Sequence, residues 1–328
     1  MNVYAPALAK AHPFEEQTSA FASDVLDGLS KHPKQLAPKY FYDAAGSELF
    51  EQITLLPEYY PTRTELGILR DHGADISAIV PKGSALVEFG AGATTKVRLL
   101  LETCAFGAYV PVDISGDFLK AQADALRKDF PGLAVYPVNA DFTAAFTLPD
   151  AVAAMPKVGF FPGSTLGNFE PHEACAFLRS AREILGRNAR MIIGVDLEKN
   201  ERVLYEAYND KAGVTARFNL NLLHRINREL SGSVPVDAFR HVARWNGAET
   251  RIEMHLEAVS DISFDIDGWP FSLSQGETIH TENSVKYGPQ DARLLLRAGG
   301  WTPVSEWTDE REFFSLILAR HDTVPSAP

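Results

Sequence analysis

An alternation of short apolar runs and helix-like stretches between residues 84 and 197 constrains the fold of this chain most strongly. The first run, Ala85–Phe89, ends at the turn Gly90-Ala91-Gly92, and a helix-like stretch follows over Thr94–Cys104. Further apolar runs lie at comparable intervals, over Ala108–Val112, Leu133–Val138, Val158–Phe161 and Met191–Val195. Strands that alternate with helices in this way predict a parallel sheet with helices on both faces.

The pattern changes after Leu197. Residues 198–230 are polar and helix-prone, and Arg251–Val259 then alternates apolar and polar residues with period two. Shorter pieces at Ile262–Ile266 and Trp269–Leu273 alternate in the same way. Alternation of this kind predicts an antiparallel sheet with one face in solvent.

The earlier pattern returns near residue 288. Asp291–Ala298 is a predicted helix, and two predicted strands follow over Trp301–Trp307 and Glu312–Ala319. The short polar link between these strands predicts a hairpin, so that the last strand runs antiparallel to its neighbour. We therefore expect the segment between the fifth strand and the closing elements to be an insertion.

The composition excludes several classes of protein. The chain has 328 residues and a net charge of −12, which argues against binding to a nucleic acid. No apolar run approaches the roughly 18 residues of a membrane helix, so we expect no membrane contact. The two cysteines, Cys104 and Cys175, form no disulfide framework, which favours the cytoplasm. The nine histidines lack metal-ligand spacing, so we expect no metal site. We also expect the protein to be a monomer.

The glycine turn is the best local signal for a ligand. Gly90 and Gly92 follow a strand and precede a helix, where glycines let the backbone approach a bound molecule closely. A dinucleotide site would have a third glycine at position 95, where this chain has Thr95. A nicotinamide-dependent oxidoreductase is therefore the less favoured interpretation of the turn.

Acidic residues lie at the ends of the first three predicted strands. Asp113 can accept hydrogen bonds from two ribose hydroxyls, Asp141-Phe142 suits an adenine ring, and Glu88 suits an ammonium group. This set favours S-adenosylmethionine, which carries those three groups and no phosphate. The alternative is that the glycines make only a sharp turn and that the acids cap helix ends, as Ser115 is expected to cap the helix after the second strand.

Longer blocks carry a family resemblance. The chain resembles class I methyltransferases over residues 84–197 and 288–320, because their last strand is also antiparallel in an otherwise parallel sheet. Tyr42–Thr54, continued by Leu56–Arg63, is similar to the signature of the histidine-specific N-alpha-methyltransferases of ergothioneine biosynthesis. Gly163–Asn168 and Phe239–Asn246 are similar to further blocks of that family, so the resemblance extends over roughly Lys39–Arg320.

The resemblance implies trimethylation of the alpha-amino group of L-histidine to hercynine, with three S-adenosylmethionine molecules converted to S-adenosylhomocysteine. The residues that match the family's histidine-binding positions are Tyr59, Asn168, Tyr208, Glu282 and Ser284. Those that match its cofactor-binding positions are Tyr42, Gly90, Lys96, Asp113, Asp141 and Phe142, to which the turn itself adds Glu88 and Gly92. Gly163 lies where the family presents backbone to the substrate amine, and the catalytic candidates are Tyr42, Gly163 and Asn168.

Alternatives remain open for the substrate and for single residues. Histidine is favoured over another amino acid or an aromatic amine only through Glu282 and Ser284, which suit its two ring nitrogens. Tyr59 could instead be an aromatic anchor, Asn168 a loop residue that bonds its own backbone, and Lys96 an exposed lysine.

The expected architecture is an α/β fold, a Rossmann-like class I methyltransferase sheet with an inserted α+β substrate-binding domain. Residues 66–196 and 287–320 form the predicted S-adenosylmethionine-binding domain. Residues 8–65 and 197–286 form the predicted substrate-binding domain, as the resemblance implies.

Overall fold

The computed structural model describes residues 13–288 and 290–321, and the chain divides into two compact units. The first unit comprises the described part of Met1–Phe41 with Ala216–Val242 and Met254–Glu282. The second comprises Tyr42–Thr215, Ala243–Glu253 and the described part of Asn283–Pro328. These boundaries differ from those of the predicted domains, whose functional division stays a prediction. Residues 8–12 of the predicted substrate-binding domain lie outside the described residues.

The described residues form helices and strands over most of their length. The helices are α1 (Pro13–Ser30), α2 (Ala44–Thr54), α3 (Tyr60–Asp71), α4 (Gly73–Ile79), α5 (Thr95–Thr103), α6 (Gly116–Asp129), α7 (Pro171–Leu185), α8 (Glu201–Tyr208), α9 (Val214–Glu229) and α10 (Asp291–Ala298). The strands are β1 (Lys34–Gln35), β2 (Ala85–Phe89), β3 (Ala108–Asp113), β4 (Ala134–Val135), β5 (Val138–Asn139), β6 (Lys157–Phe161), β7 (Arg190–Asp196), β8 (Phe239–Asn246), β9 (Arg251–Ala258), β10 (Ile262–Ile266), β11 (Trp269–Leu273), β12 (Thr278–Val285), β13 (Thr302–Thr308) and β14 (Phe314–Arg320). Within the described ranges, every helix is too short or too polar to cross a membrane.

The second unit contains the predicted sheet. Its strands lie in the order β13-β14-β7-β6-β2-β3-β4, and β5 also pairs with β3. The pairs from β7 through β3 are parallel, whereas β14 is antiparallel to both β13 and β7. The predicted closing hairpin and the class I methyltransferase architecture are therefore confirmed.

The sheet is buried on both faces, as a parallel sheet covered by helices must be. Side chains along β2 alternate between two apolar clusters. Val87 and Phe89 pack on one face with Phe161, while Leu86 packs on the other face with Phe160. This burial holds the carboxyl ends of the strands, where the predicted ligand residues lie, in fixed positions.

The third predicted strand, Leu133–Val138, is not continuous. Two short strands replace it, and the backbone N–H of Tyr136 still donates to the carbonyl of Tyr109 (2.9 Å). The next residue, Pro137, has no N–H to donate, so the ladder of hydrogen bonds is interrupted there.

The first unit contains α1 and the β10–β11 hairpin, whose pairing is antiparallel as predicted. A four-stranded sheet has the order β1-β12-β9-β8. This sheet is not antiparallel throughout, because Lys34 and Gln35 of β1 pair in parallel with Ile279 and His280 of β12. These partners are far apart in the chain, so no hairpin forces them to be antiparallel.

Candidate functional site

The two glycines of the turn after β2, Gly90 and Gly92, differ in backbone conformation and in the space around them. Gly90 has a φ of 73°, and its N–H and that of Ala91 donate to the carbonyl of Val112 (2.9 and 3.0 Å). A Cβ at Gly90 would lie 3.2 Å from the ring of Phe142. A Cβ at Gly92 would meet nothing within 4 Å. The backbone therefore requires glycine at the first position, and the space at the second can admit a ligand.

The predicted cofactor acids differ in their surroundings. Asp113, at the end of β3, accepts the backbone N–H of Ser115 (2.8 Å), and burial raises the pKa of its carboxyl. Glu88 is buried within β2 and accepts a hydrogen bond from the Tyr109 hydroxyl. Burial raises the pKa of Glu88 to about 8, although that hydrogen bond acts to lower it. Asp141 accepts the backbone N–H of Thr143 (2.9 Å).

Phe142 brings an aromatic face to the glycine turn. Its ring lies 5.6 Å from that of Phe161 and 5.8 Å from that of Phe177, both edge-on. Buried partners on one side fix the ring in place, and the adjacent Gly90 leaves room for it. The turn, Asp113 and Phe142 are compatible with a nucleoside-containing cofactor.

Aromatic residues connect the predicted cofactor residue Tyr42 to the predicted substrate residues. The ring of Phe50 lies edge-on to Tyr42 (5.6 Å) and to Tyr59 (6.3 Å), and Tyr59 lies edge-on to Tyr208 (6.3 Å). The Tyr208 hydroxyl lies 2.6 Å from Oγ of Ser284. The structure therefore brings Tyr59, Tyr208 and Ser284 together within the second unit.

The prediction that the Ser115 side chain caps α6 is wrong. Ser115 occupies the N-cap position of α6, but its side chain makes no capping hydrogen bond. Its hydroxyl instead donates to the carbonyl of Tyr42 (2.9 Å). This contact ties the segment before α2 to the residues that follow Asp113.

A buried carboxylate that the sequence did not indicate connects Lys96 to Gly163. Glu65, on α3, is fully buried, and its carboxylate forms an ion pair with the ammonium of Lys96 (2.6 Å from Nζ to Oε2). It also accepts the backbone N–H of Gly163 (2.9 Å to Oε2). Gly163 and Ser164 both have positive φ, 79° and 59°, and the turn leads into a short 3-10 helix that ends at Asn168. The interpretation of Lys96 as an exposed lysine is therefore wrong.

A second buried cluster surrounds Asp196 at the end of β7. Lys286 donates to Oδ2 of Asp196 (2.7 Å), Lys199 donates to Oδ1, and the Tyr60 hydroxyl donates to the same carboxylate (2.7 Å to Oδ2). Burial acts to raise the pKa of Asp196, but the ammonium groups of Lys286 and Lys199 outweigh it and hold the pKa below its ordinary value. Burial lowers the pKa of Lys199 to about 8. The backbone N–H of Asp196 donates to Oγ of Ser164 (2.9 Å), which joins this cluster to the Gly163 turn.

Sequence reasoning missed Glu65, Asp196, Lys199 and Lys286. Asp196 follows a predicted strand, and the rule that selected Asp113 would also have selected it. Lys286 continues the alternation of Glu282 and Ser284, a weak signal. Glu65 lies within a helix and has no local signal.

Two predicted features fall in the first unit. Glu282 is partly buried on β12, and its carbonyl accepts a hydrogen bond from Nε2 of His280 (3.1 Å). The rings of His255 and His280 stack at 4.8 Å, a proximity that arises from adjacent strands and not from spacing in the chain. The role of Glu282 in binding histidine stays a prediction. The expectation that the histidines form no metal site also stays a prediction.

The two glycines of the turn yield a first test. Gly90→Ala forces a strained positive φ against Phe142, so we expect it to lower the free energy of unfolding by about 1–2 kcal/mol. Gly92→Ala should leave stability within about 0.5 kcal/mol of wild type yet weaken S-adenosylhomocysteine binding at least roughly tenfold, about 1.4 kcal/mol, in calorimetric titration. Gly132→Ala is the control, since a Cβ there also meets nothing within 4 Å. Equal affinities of the Gly92 and Gly132 variants would remove Gly92 from the site.

Comparisons with known proteins show to which family the chain belongs. The model of the family described as histidine-specific methyltransferase, SAM-dependent, matches residues 21–321. Histidine N-alpha-methyltransferase of Mycobacterium tuberculosis is 40% identical over 317 residues, covering 92% of this chain and 94% of its own. That of Mycolicibacterium smegmatis is 38% identical, covering 95% of this chain and 98% of its own. Ergothioneine biosynthesis protein 1 of Neurospora crassa is 30% identical, covering 88% of this chain and 33% of its own. The resemblance found in the sequence is confirmed, and the chain belongs to the family of histidine-specific methyltransferases that depend on S-adenosylmethionine.

Proposed function

We propose that the protein transfers three methyl groups in turn to the alpha-amino group of L-histidine, producing hercynine in the first step of ergothioneine biosynthesis. The observation that carries this proposal is the buried pair of hydroxyls of Tyr208 and Ser284, 2.6 Å apart, beside the aromatic ring of Tyr59. Hydroxyls at a buried site bind the polar groups of a ligand, such as those of an amino acid, in preference to apolar ones. Family membership supports histidine as that amino acid.

The cofactor end of the site is the edge formed by β2, β3 and the residues after β5. Asp113 would accept the ribose hydroxyls, Phe142 would face the adenine, and Gly92 would leave room for the chain of the ligand. Glu88 and Asp113 would offset the positive charge of S-adenosylmethionine, and Lys96 acts on this end through Glu65. When bound, S-adenosylmethionine supplies an electrophilic methyl group on a sulfonium.

Orientation is the main contribution that we assign to the protein. The substrate amine must offer a neutral lone pair in line with the methyl group, and fixed geometry can supply about 7–11 kcal/mol of the barrier. Asn168 has both a donor and an acceptor for the amine and carboxylate, and the Gly163 backbone faces the amine. The buried partner Glu65 holds that backbone in its positive φ.

Proton removal and ring recognition complete the proposal. The amine loses its proton to water or to a tyrosine, for which Tyr42 is our candidate. Tyr208 donates to the carboxylate of histidine. Glu282 accepts an imidazole N–H, and Ser284 bonds the other ring nitrogen, so that an apolar amino acid would leave these groups without partners.

The cellular location and the oligomeric state are part of the same proposal. Cys104 and Cys175 are free thiols, which supports action in a reducing cytoplasm. A monomer remains our prediction for the oligomeric state.

The raised pKa of Glu88 predicts a pH-dependent affinity for the cofactor. Below pH 8 the Glu88 carboxyl is mostly protonated in the free protein, and a cationic ligand favours its ionised form. Binding of S-adenosylmethionine should therefore strengthen as pH rises toward 8, by up to about tenfold per unit, and level off above it. Glu88→Gln should flatten this rise in calorimetric titrations between pH 6 and 9. The ligand's own ionisation is common to both proteins, so parallel profiles would exclude Glu88 as the responsible group.

The substrate assignment predicts a defined product and a defined loss. Purified protein with S-adenosylmethionine and a mixture of amino acids should add three methyl groups to histidine alone, as seen by mass spectrometry. Methylation of another amine instead would overturn the choice of substrate.

Glu282→Ala combined with Ser284→Ala should weaken histidine binding by about 100-fold or more, because two polar contacts to the ring are lost, each contributing roughly 1–3 kcal/mol. Affinity for S-adenosylhomocysteine should stay within about twofold, less than 0.5 kcal/mol. Thr278→Ala, at the start of the same strand, is the matched control. Unchanged histidine affinity in the double variant would remove the reason to prefer an imidazole.

A further inference from the structure

We propose that Lys286 is a positioning residue for substrate recognition, whose buried ammonium fixes the hydroxyl pair of Tyr208 and Ser284 so that Tyr208 is oriented toward the carboxylate of the substrate. The inference rests on the proposed function, since it takes this hydroxyl pair as part of the substrate site. It assigns a role to a residue that no motif in the sequence indicates.

The contacts of Lys286 fix its three N–H donors. The residue is 1% exposed, and Nζ donates to Oδ2 of Asp196 (2.7 Å), to Oγ of Ser284 (2.7 Å) and to the Tyr208 hydroxyl (3.1 Å). An ammonium has three donors and no acceptor. These three acceptors therefore use its whole capacity and define its position.

The lysine also determines how the hydroxyl pair can bond. Tyr208 and Ser284 each accept from Lys286, and one of them donates to the other. Neither hydroxyl hydrogen can then point toward the ammonium. A hydroxyl that accepts a charged hydrogen bond is itself a stronger donor. The pair thus offers a polarised donor, which suits a carboxylate oxygen.

The local charge favours the same ligand. Asp196 carries one negative charge against the two ammonium groups of Lys199 and Lys286, so these three groups have a net charge of about +1 when both lysines are protonated, while the carboxylate of Asp309 also acts on Lys199. The interaction of a positive charge with an anion is much stronger in a buried site than in water. A carboxylate therefore gains more from this cluster than a neutral group of the same shape.

The need to neutralise the charge of Asp196 does not by itself explain why a lysine lies at position 286. Asp196 also accepts from Lys199 and from the Tyr60 hydroxyl (2.8 Å to Oδ1), and both contacts would remain without Lys286. Lys286, by contrast, reaches both Tyr208 and Ser284. Because Asp196 would keep Lys199 and Tyr60 as partners, we expect Lys286→Met to fold.

The test compares Lys286→Met with Lys199→Met, using histidine and histidinamide as methyl acceptors. Both substitutions remove a buried ammonium from Asp196, but Lys199 donates its hydrogen bonds to Asp196, Tyr60 and the Leu197 carbonyl and not to the hydroxyls of Tyr208 and Ser284. Lys286→Met should lower kcat/KM for histidine by about 10- to 100-fold, mainly through KM, because charged hydrogen bonds are lost. Its effect on histidinamide should be several-fold smaller, so that the preference for the carboxylate declines. Lys199→Met should change that preference less.

Additional measurements separate a positioning role from a structural one. Calorimetric titration with S-adenosylhomocysteine and thermal unfolding report whether each variant is folded, and Lys286→Gln serves if the methionine variant is not. In the double variant Lys286→Met with Ser284→Ala, the loss of kcat/KM for histidine should be much smaller than the two single losses combined. The reason is that both substitutions act on the same hydroxyl pair. Equal losses for histidine and histidinamide, or fully additive losses, would overturn the role of Lys286 alone. Failure of the wild-type protein to methylate histidine would overturn the proposed function and this inference together.

Discussion

The pairing of one buried carboxylate, Asp196, governs the geometry of the candidate site. An ion that leaves water without partners costs several kcal/mol, on the order of the stability of a whole domain. Asp196 avoids this cost through Lys199, Lys286 and the Tyr60 hydroxyl, which come from three separate parts of the chain. Its backbone N–H also holds the Ser164 hydroxyl (2.9 Å). The end of β7 therefore fixes both the lysine behind the hydroxyl pair and the turn that leads to Asn168.

Glu65 supports the same turn from the other side. It holds the backbone N–H of Gly163 and the ammonium of Lys96, and the adjacent strand makes room for it with a glycine. A Cβ at Gly194 would lie only 2.3 Å from Oε1 of Glu65. The left-handed conformations at Gly163 and Ser164 are thus held by partners within the protein itself. Such preorganised polar groups are the kind that stabilise reacting atoms without reorganisation.

The sequence predicted what depends on local patterns. The alternation of strands and helices, the closing hairpin and the acid at the end of β3 were visible because periodicity and strand ends are local properties. The partner of Gly163 is 98 residues away and that of Lys286 is 90 residues away, so no spacing rule could join them. Glu65 in particular lies in a helix whose sequence is that of an ordinary amphipathic segment. Its burial is a tertiary property.

The distribution of charge along the sheet explains how an acidic protein can accept ligands of opposite charge. The carboxyls of Glu88 and Asp113 lie on β2 and β3, where the proposed function requires the cationic cofactor to bind. The ammonium groups of Lys199 and Lys286 gather at the end of β7, where the proposed function requires a carboxylate to bind. Because buried charges are poorly screened, a few paired residues set the local potential regardless of the total. The total charge of a chain therefore predicts the sign of neither end of its site.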